Sequence, residues 1–143
     1  MPLPLNDILV VSLEQAVAAP YLSSRLADAG ARVIKVERPE GDFARQYDSV
    51  VNGQSAYFVW LNRGKESIQL NIKDNDDLNL LKKMIGKADI FIQNLAPGIV
   101  DKFGLDCETL RNLGPSLIAV DISGYGETGP FAAMKAYGML VQS

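Results

Sequence analysis

The sequence predicts an α/β protein built on a Rossmann-like, doubly wound, mostly parallel sheet. Short continuous apolar runs, which are typical of strands buried on both faces, occur at residues 8–13 and 32–36. Helix-forming residues fill the segment between these runs, at residues 20–29. Strand and helix patterns continue to alternate along the chain, as in parallel sheets covered by helices on both faces. We therefore expect ligands at the carboxyl ends of the strands.

The first two strands and the helix between them predict a βαβ unit. Pro20 suits the first turn of the helix, because its fixed φ angle matches the helix and its missing N–H is not needed there. Gly30 can end the helix in a left-handed conformation. The second strand is then expected to run parallel to the first, because a helix connects them.

The remaining elements follow the same alternation. Residues 67–72 alternate between polar and apolar side chains and predict a strand. Residues 74–85 start with aspartates and predict a helix with one apolar face, formed by Leu78, Leu81, Met84 and Ile85. We predict a strand at 88–93, short helices at 97–103 and 108–113, and a last strand at 116–122.

Composition excludes several functional classes. With 14 basic and 17 acidic residues the net charge is −3, so the chain lacks the positive field that a nucleic-acid partner requires. No segment reaches the ~20 apolar residues of a membrane helix, so no membrane partner is expected. Cys107 is the single cysteine, which excludes an internal disulfide and suits a reducing cytoplasm. We expect its side chain to serve packing.

The loops after the predicted strands are the candidate ligand loops, at residues 14–20, 37–42, 93–98 and 123–130. The first loop contains no G-x-G-x-x-G motif, which disfavours a nicotinamide or other redox nucleotide cofactor. G-E-T-G-P at 126–130 is not followed by Gly-Lys-Ser/Thr, so an ATP site is not supported. The chain has no histidine, so we expect neither a histidine base nor a histidine metal site, and no metal.

Cationic side chains at strand and helix ends suggest a site for a phosphorylated ligand. They are Arg38, Arg63, Lys65, Lys102 and Lys135. The alternative interpretation is that each is solvated or pairs with a neighbour such as Glu37 or Glu66, and spacing does not decide between the two.

An aromatic segment precedes the third predicted strand. Trp60, Tyr57 and Phe58 are expected in the core, in preference to a platform on which a base stacks. The glycines at 123–130 are expected to form turns in preference to a phosphate cradle.

Several long motifs, taken in order, resemble one family. The segments PLNDILVVSLEQAVAAP, GARVIKVERP, GDFAR, SAYFVWLNRGKESIQLNIK, ADIFIQNLAPGIVDKFGLD and ISGYGETGP resemble the N-terminal portion of the family III CoA-transferases. This family includes formyl-CoA, carnitine and dicarboxylate CoA-transferases and the related α-methylacyl-CoA racemases. The sequences of these motifs are similar to those of family members that move CoA between small dicarboxylic acids. The resemblance implies that residues 1–143 form the N-terminal, CoA-binding part of the large domain, with the remainder of the enzyme absent.

The resemblance also implies which residues hold CoA. In the first two strand-end loops the adenine and phosphate end would meet Val17, Ala18 and Arg38. The nucleotide would also contact Asn62, Arg63, Gly64 and Lys65. The pantetheine path would be lined by Asn94, Leu95 and Ala96.

Lys102 stands where the family usually has an arginine for phosphate, and lysine keeps the charge without the bidentate geometry. The thioester end would be covered by Lys135, Ala136, Tyr137 and Gly138.

The resemblance places the reactive group outside this chain. In the family an aspartate attacks the acyl-CoA thioester, forms an acyl-aspartyl anhydride and later an aspartyl-CoA thioester. That aspartate is expected after Ser143, so we expect no transferase activity from the 143 residues alone. The resemblance further implies acyl-CoA and small carboxylic acids as substrates, and an interlocked homodimer.

Two alternative functions remain open from the sequence. An acyl-CoA racemase of the same family would carry a His-Asp pair where this chain has Tyr137 and Gly138. A stand-alone CoA-binding module without catalysis would be a complete, monomeric domain. We expect instead that the chain self-associates through apolar surface that includes residues 134–141.

Overall fold

A five-stranded, all-parallel sheet organises the chain. The structure is a computed structural model, and it describes residues 1–136. The strands lie in the order β3-β2-β1-β4-β5, so the chain builds outward from β1 to β3 and then crosses back to add β4 and β5. This order confirms the doubly wound fold. The strands are β1 Leu9–Leu13, β2 Arg32–Glu37, β3 Lys65–Gln69, β4 Ile90–Gln93 and β5 Ile118–Asp121.

Helices cover both faces of the sheet. On one face Val11 of β1 packs in a core with Leu81 and Leu110, and on the other face Val10 packs with Ala19. Adjacent residues of β1 serve different cores because successive side chains of a strand point to opposite faces. The helices are α1 Ala18–Asp28, α2 Ala56–Asn62, α3 Asn75–Ile85 and α4 Cys107–Leu113, with 3-10 helices at Phe43–Gln46 and Val100–Phe103.

Local sequence explains where the main helices begin and end. The Asp74 carboxylate accepts hydrogen bonds from the backbone N–H groups of Asp76 and Asp77, which caps α3 as its aspartate-rich start predicts. Gly30 follows the end of α1 at φ +104°, as expected. A Cβ atom at Gly30 would lie 2.6 Å from the Leu3 Cβ atom, so the close approach of the N-terminal segment also requires glycine.

Two sequence predictions need correction. The third strand is Lys65–Gln69 and not 67–72, because the chain turns away from the sheet after Leu70 donates its N–H to Glu37 O. The aromatic segment forms α2, which was not predicted and which packs mainly on α1 and on the 3-10 helix Phe43–Gln46. Tyr57 and Trp60 are therefore each 50% exposed and do not lie in the core.

No helix within residues 1–136 combines the length and the apolar character needed to cross a membrane.

Candidate functional site

A cavity opens at the carboxyl ends of β1, β2 and β3. Its volume is about 520 Å³, the size of a small-ligand pocket. Its walls come from the loop after each of these strands and from the loop after β4, so it lies where parallel sheets bind ligands. Among the lining residues are Gln15, Arg38, Asn71, Ile72, Lys73 and Leu95.

Two cationic side chains flank the cavity without carboxylate partners. Arg38 is exposed, its Nε atom donates to Gly41 O at 2.9 Å, and its guanidinium lies 5.8 Å from the centre of the Phe43 ring. Lys73 is also exposed on the cavity wall. Within residues 1–136 neither cation forms an ion pair, so both are available to an anionic ligand.

Sequence reasoning missed Lys73 because the loop after the third predicted strand was not among the candidate ligand loops. A strand over 67–72 makes Asn71 and Ile72 part of the sheet, whereas β3 ends at Gln69 and these residues begin a strand-end loop. The sequence signal for this loop is the segment N-I-K-D, whose polar first residue, Asn71, indicates that the strand ends before it.

Side chains from two other loops hold the backbone between β1 and α1. Asn94 Oδ1 accepts the Gln15 N–H at 2.9 Å, and Asn94 Nδ2 donates to Gln15 O at 2.8 Å. The next N–H group, from Ala16, is accepted by Asp42 Oδ1 at 3.0 Å. Ala16 has φ +63°, a left-handed conformation that is uncommon for a residue with a Cβ atom.

This loop leads into an uncapped helix. Val17 is the N-cap residue of α1 and makes no side-chain hydrogen bond to the first turn. The first N–H groups of a helix lack partners within the helix and favour negative charge. Both Val17 and Ala18 are exposed at this end of the helix.

A buried network of four charged side chains lies beneath the loops. Lys65 Nζ is 2.7 Å from Glu14 Oε1, and Lys35 Nζ is 2.7 Å from Asp42 Oδ2 and 3.7 Å from Glu14 Oε1. All four side chains are at most 1% exposed. Burial lowers the pKa of Lys65, against the opposing effect of the Glu14 charge and hydrogen bond. Two carboxylates and two ammonium groups make the network neutral.

A third buried carboxylate, that of Glu37, lies beside this network. Glu37 accepts two hydrogen bonds from Arg45, at 2.8 and 3.0 Å, and one from the Asp42 N–H at 3.0 Å. Burial alone would raise the pKa of Glu37. The Arg45 and Asp42 hydrogen bonds and the charges of Arg45 and Lys35 outweigh it and lower the pKa to about 2.

The structure brings only some of the predicted site residues to the cavity. Arg38 and Leu95 line it, and Asn94 holds its loop. Ala96 is exposed in the same loop, Lys102 is exposed on the 3-10 helix Val100–Phe103, and Lys135 and Ala136 are exposed on a separate segment. Tyr137 and Gly138 lie outside the described residues.

The predicted nucleotide-binding residues before β3 do not line the cavity. Asn62, Arg63 and Gly64 precede β3, at the amino edge of the sheet, opposite the cavity. Arg63 lies 2.5 Å from Asp28, and the Lys65 ammonium is buried against Glu14. These cations are paired, as the alternative interpretation expects, and a contact of this stretch with a nucleotide stays a prediction that this geometry does not support.

The sequence profile of CoA-transferase family III matches residues 5–143 of the chain. The chain belongs to this family. Curated relatives include an acetyl-CoA:oxalate CoA-transferase from Acetobacter aceti, which is 43% identical over 98% of this chain and 36% of the relative. A succinyl-CoA:glutarate CoA-transferase from Mus musculus is 37% identical over 98% of this chain and 33% of the relative. The chain thus spans about a third of the length of these relatives.

Solved structures of the family share this fold. A CAIB/BAIF family protein from Brucella suis superposes with a TM-score of 0.91 at 38% identity, covering 99% of this chain and 39% of the other. A protein from Mycobacterium tuberculosis superposes with a TM-score of 0.90 at 33% identity, covering 96% of this chain and 39% of the other. The CoA-transferase III chain described here therefore shares its fold with about two fifths of each of these proteins.

Within the described part, residues 1–136, no group of three or more His, Cys, Asp or Glu side chains is placed to hold a metal ion. Three of the carboxylates near the cavity, Glu14, Glu37 and Asp42, instead have lysine, arginine and backbone N–H partners.

Cys107 is expected to react slowly with thiol reagents. Burial, followed by the hydrogen bond from its Sγ atom to Asp121 at 3.0 Å and the Asp121 charge, raises the pKa of the thiol to about 12. Because the thiolate is the reactive form, alkylation by iodoacetamide at pH 8 should be about 100-fold slower in the folded chain than in urea. The Asp121→Asn variant should react faster than the wild type. Equal rates in folded and unfolded chains would contradict this assignment.

Proposed function

We propose that this chain is the CoA-binding part of an acyl-CoA:carboxylate CoA-transferase that moves CoA between small organic acids. The observation that carries the proposal is the cavity at the carboxyl edge of the sheet, flanked by Arg38 and Lys73, two cations that form no ion pair within residues 1–136. CoA carries several phosphate groups, and arginine and lysine on the wall of a cavity are suited to bind them. Family membership supports the same function.

In this proposal CoA lies with its phosphates near the cavity walls and its pantetheine arm along the loop after β4. Arg38 and the first-turn N–H groups of α1, at Val17 and Ala18, bind phosphate. Asn94, Leu95 and Ala96 line the pantetheine path. Lys102 binds a further phosphate, and the segment formed by Lys135, Ala136, Tyr137 and Gly138 covers the thioester end.

The chain contributes binding and orientation to this reaction. The carboxylate that attacks the thioester is proposed to be an aspartate C-terminal to Ser143, in line with the family resemblance. Attack on the thioester carbon breaks the C–S bond, forms the acyl-aspartyl anhydride and releases CoA thiolate. Holding CoA in the cavity keeps the thiolate close for its attack on the aspartyl carbonyl of the anhydride, which breaks the anhydride C–O bond, releases the donor carboxylate and gives the aspartyl-CoA thioester.

Small dicarboxylates are the proposed acyl groups. Oxalate and glutarate, which the names of the two relatives give, are both dicarboxylic acids. We also propose that the protein works in the cytoplasm, which suits its single free thiol, and assembles as a homodimer. Half-exposed aromatic residues on α1, α2 and the 3-10 helix Phe43–Gln46 are available to such an assembly: Tyr21, Phe43, Tyr57 and Trp60.

Replacing Arg38 by alanine is expected to weaken CoA binding by about 10- to 100-fold, since a hydrogen bond to a charged group contributes about 1.5–3 kcal/mol. Titration calorimetry of the chain with CoA, dephospho-CoA and pantetheine measures the effect. Pantetheine lacks the nucleotide phosphates, so its affinity should stay unchanged.

Arg32→Ala is the matched control. Arg32 is an exposed arginine at the start of β2, but it pairs with Glu66 at the amino edge, so CoA affinity should not change. Equal losses for CoA and pantetheine in Arg38→Ala would reject the phosphate role. Absence of CoA binding by the wild-type chain would reject the proposed function.

A further inference from the structure

Asp42 occupies an unusual place for a carboxylate, because its side chain is buried and both of its oxygens accept hydrogen bonds. Oδ2 accepts the Lys35 ammonium at 2.7 Å. Oδ1 accepts the backbone N–H groups of Ala44 at 2.9 Å and Ala16 at 3.0 Å. Asp42 thereby joins the loop after β2 to the loop after β1, which lies 26 residues earlier in the chain.

Lys35 is the residue that keeps Asp42 in this position. It lies in the middle of β2 between Ile34 and Val36, with a side chain that is 1% exposed. Its ammonium group faces Asp42, Glu14 at 3.7 Å and the ring of Phe58 at 5.3 Å. A buried ion pair is often no more stabilising than apolar residues of the same size, so stability alone does not account for it.

Ala16 is the backbone position that Asp42 controls. A left-handed φ angle of +63° is unfavourable for a residue with a Cβ atom, and a free loop would populate it about tenfold less than ordinary conformations. The hydrogen bond from Ala16 N to Asp42 favours the observed conformation. The residues that follow, Val17 and Ala18, start α1 and expose its first N–H groups.

We propose that Asp42, held by Lys35, is a positioning residue that keeps Ala16 left-handed and so presents the start of α1 to the phosphates of CoA. This inference rests on the proposed CoA-binding function. Asp42 touches no ligand in this scheme. It acts through the backbone of Ala16, and its role is distinct from the cationic contacts of Arg38 and Lys73.

Two double variants separate positioning from ion-pair stability. Lys35→Met with Asp42→Asn removes both charges but keeps a side-chain oxygen that can accept the Ala16 N–H. Lys35→Met with Asp42→Ala removes both charges and the acceptor. Because both lose the same ion pair, the first is expected to bind CoA within about threefold of the wild type and the second about tenfold more weakly.

Substitutions at Ala16 test the same role with the core intact. Glycine adopts left-handed φ angles freely, so Ala16→Gly should keep CoA affinity and should restore most of the affinity lost by the Lys35→Met, Asp42→Ala variant. Valine rarely adopts such angles, so Ala16→Val should weaken CoA binding at least tenfold with little change in the unfolding midpoint. This comparison holds even where a core variant does not fold.

Amide hydrogen exchange of residues 15–17 without ligand tests the positioning independently of CoA. Exchange should be fast in the variant without the acceptor and close to wild type in the variant that keeps it. If CoA does not bind the wild-type chain, the proposed function fails and the exchange comparison alone decides the positioning. Equal exchange rates in the two double variants would overturn the role of Asp42. Where CoA binds, equal CoA affinities of the two double variants would overturn it as well. An Ala16→Val variant with the CoA affinity of the wild type would have the same consequence.

Discussion

Replacing Glu14 by alanine is expected to lower the free energy of unfolding by about 3–5 kcal/mol, because it leaves a buried lysine without its carboxylate. Glu14 is fully buried and accepts hydrogen bonds from Lys65 at 2.7 Å, Ser12 at 2.6 Å and Ser23 at 2.5 Å. Without Glu14 the Lys65 ammonium keeps only the Pro20 and Asn62 oxygens, at 2.9 and 3.4 Å. Urea denaturation at pH 7 measures the change.

Replacing Lys65 as well as Glu14 should restore most of the lost free energy of unfolding. In the Glu14→Gln, Lys65→Met double variant no charge of this pair remains, and a buried ion pair replaced by groups of similar size often costs little. The loss in Glu14→Ala should also be smaller at pH 10 than at pH 7, because a buried lysine can release its proton. If Glu14→Ala lowers the free energy of unfolding by less than about 1 kcal/mol, the stability of the network does not depend on this carboxylate.

Acid should destabilise the chain through Glu37 between pH 4.5 and pH 2. The pKa of Glu37 falls from its ordinary value of 4.5 to about 2 on folding, so its stabilising effect is complete above pH 4.5 and is lost as the pH falls through 2. A shift of this size corresponds to about 3 kcal/mol. Urea denaturation at several pH values across this window should give a clearly smaller pH slope for Glu37→Gln than for the wild type.

Glu66→Gln is the matched control for this slope. Glu66 also pairs with an arginine, Arg32, and its pKa is also lowered, first by that hydrogen bond. Its side chain is 58% exposed, however, and solvent screens an exposed pair. The wild-type slope should therefore persist in Glu66→Gln. A slope that is the same in wild type and Glu37→Gln would locate the acid sensitivity at other carboxylates.

The positions of the strands could be predicted from the sequence, since burial on both faces leaves a local pattern. The apolar runs around Val10, Val33 and Ile92 mark β1, β2 and β4, and the carboxyl ends of these strands lead to the loops that form the cavity. The predicted end of β3 was less accurate, because polar and apolar side chains continue to alternate past Gln69 although the backbone has left the sheet. That error placed Asn71 and Ile72 in the strand, whereas they belong to the loop that lines the cavity.

The roles of the cations could not be predicted from the sequence. Arg38 and Lys65 are both basic residues at the boundary of a strand, yet Arg38 is exposed on the cavity and the side chain of Lys65 is 1% exposed beneath α1. Burial of a charge depends on where its partner lies, and Glu14 is 51 residues away from Lys65. A contact between residues this far apart in the chain leaves no local pattern in the sequence.

The sequence by itself determined the family, the parallel α/β fold and the edge of the sheet at which a ligand is expected. Only the tertiary structure decided which charged groups meet: the strand order β3-β2-β1-β4-β5 places β2 between β1 and β3 and so brings Glu14, Lys35 and Lys65 together. The physical reason is that buried charges require partners, and those partners come from strands adjacent in the sheet and distant in the chain.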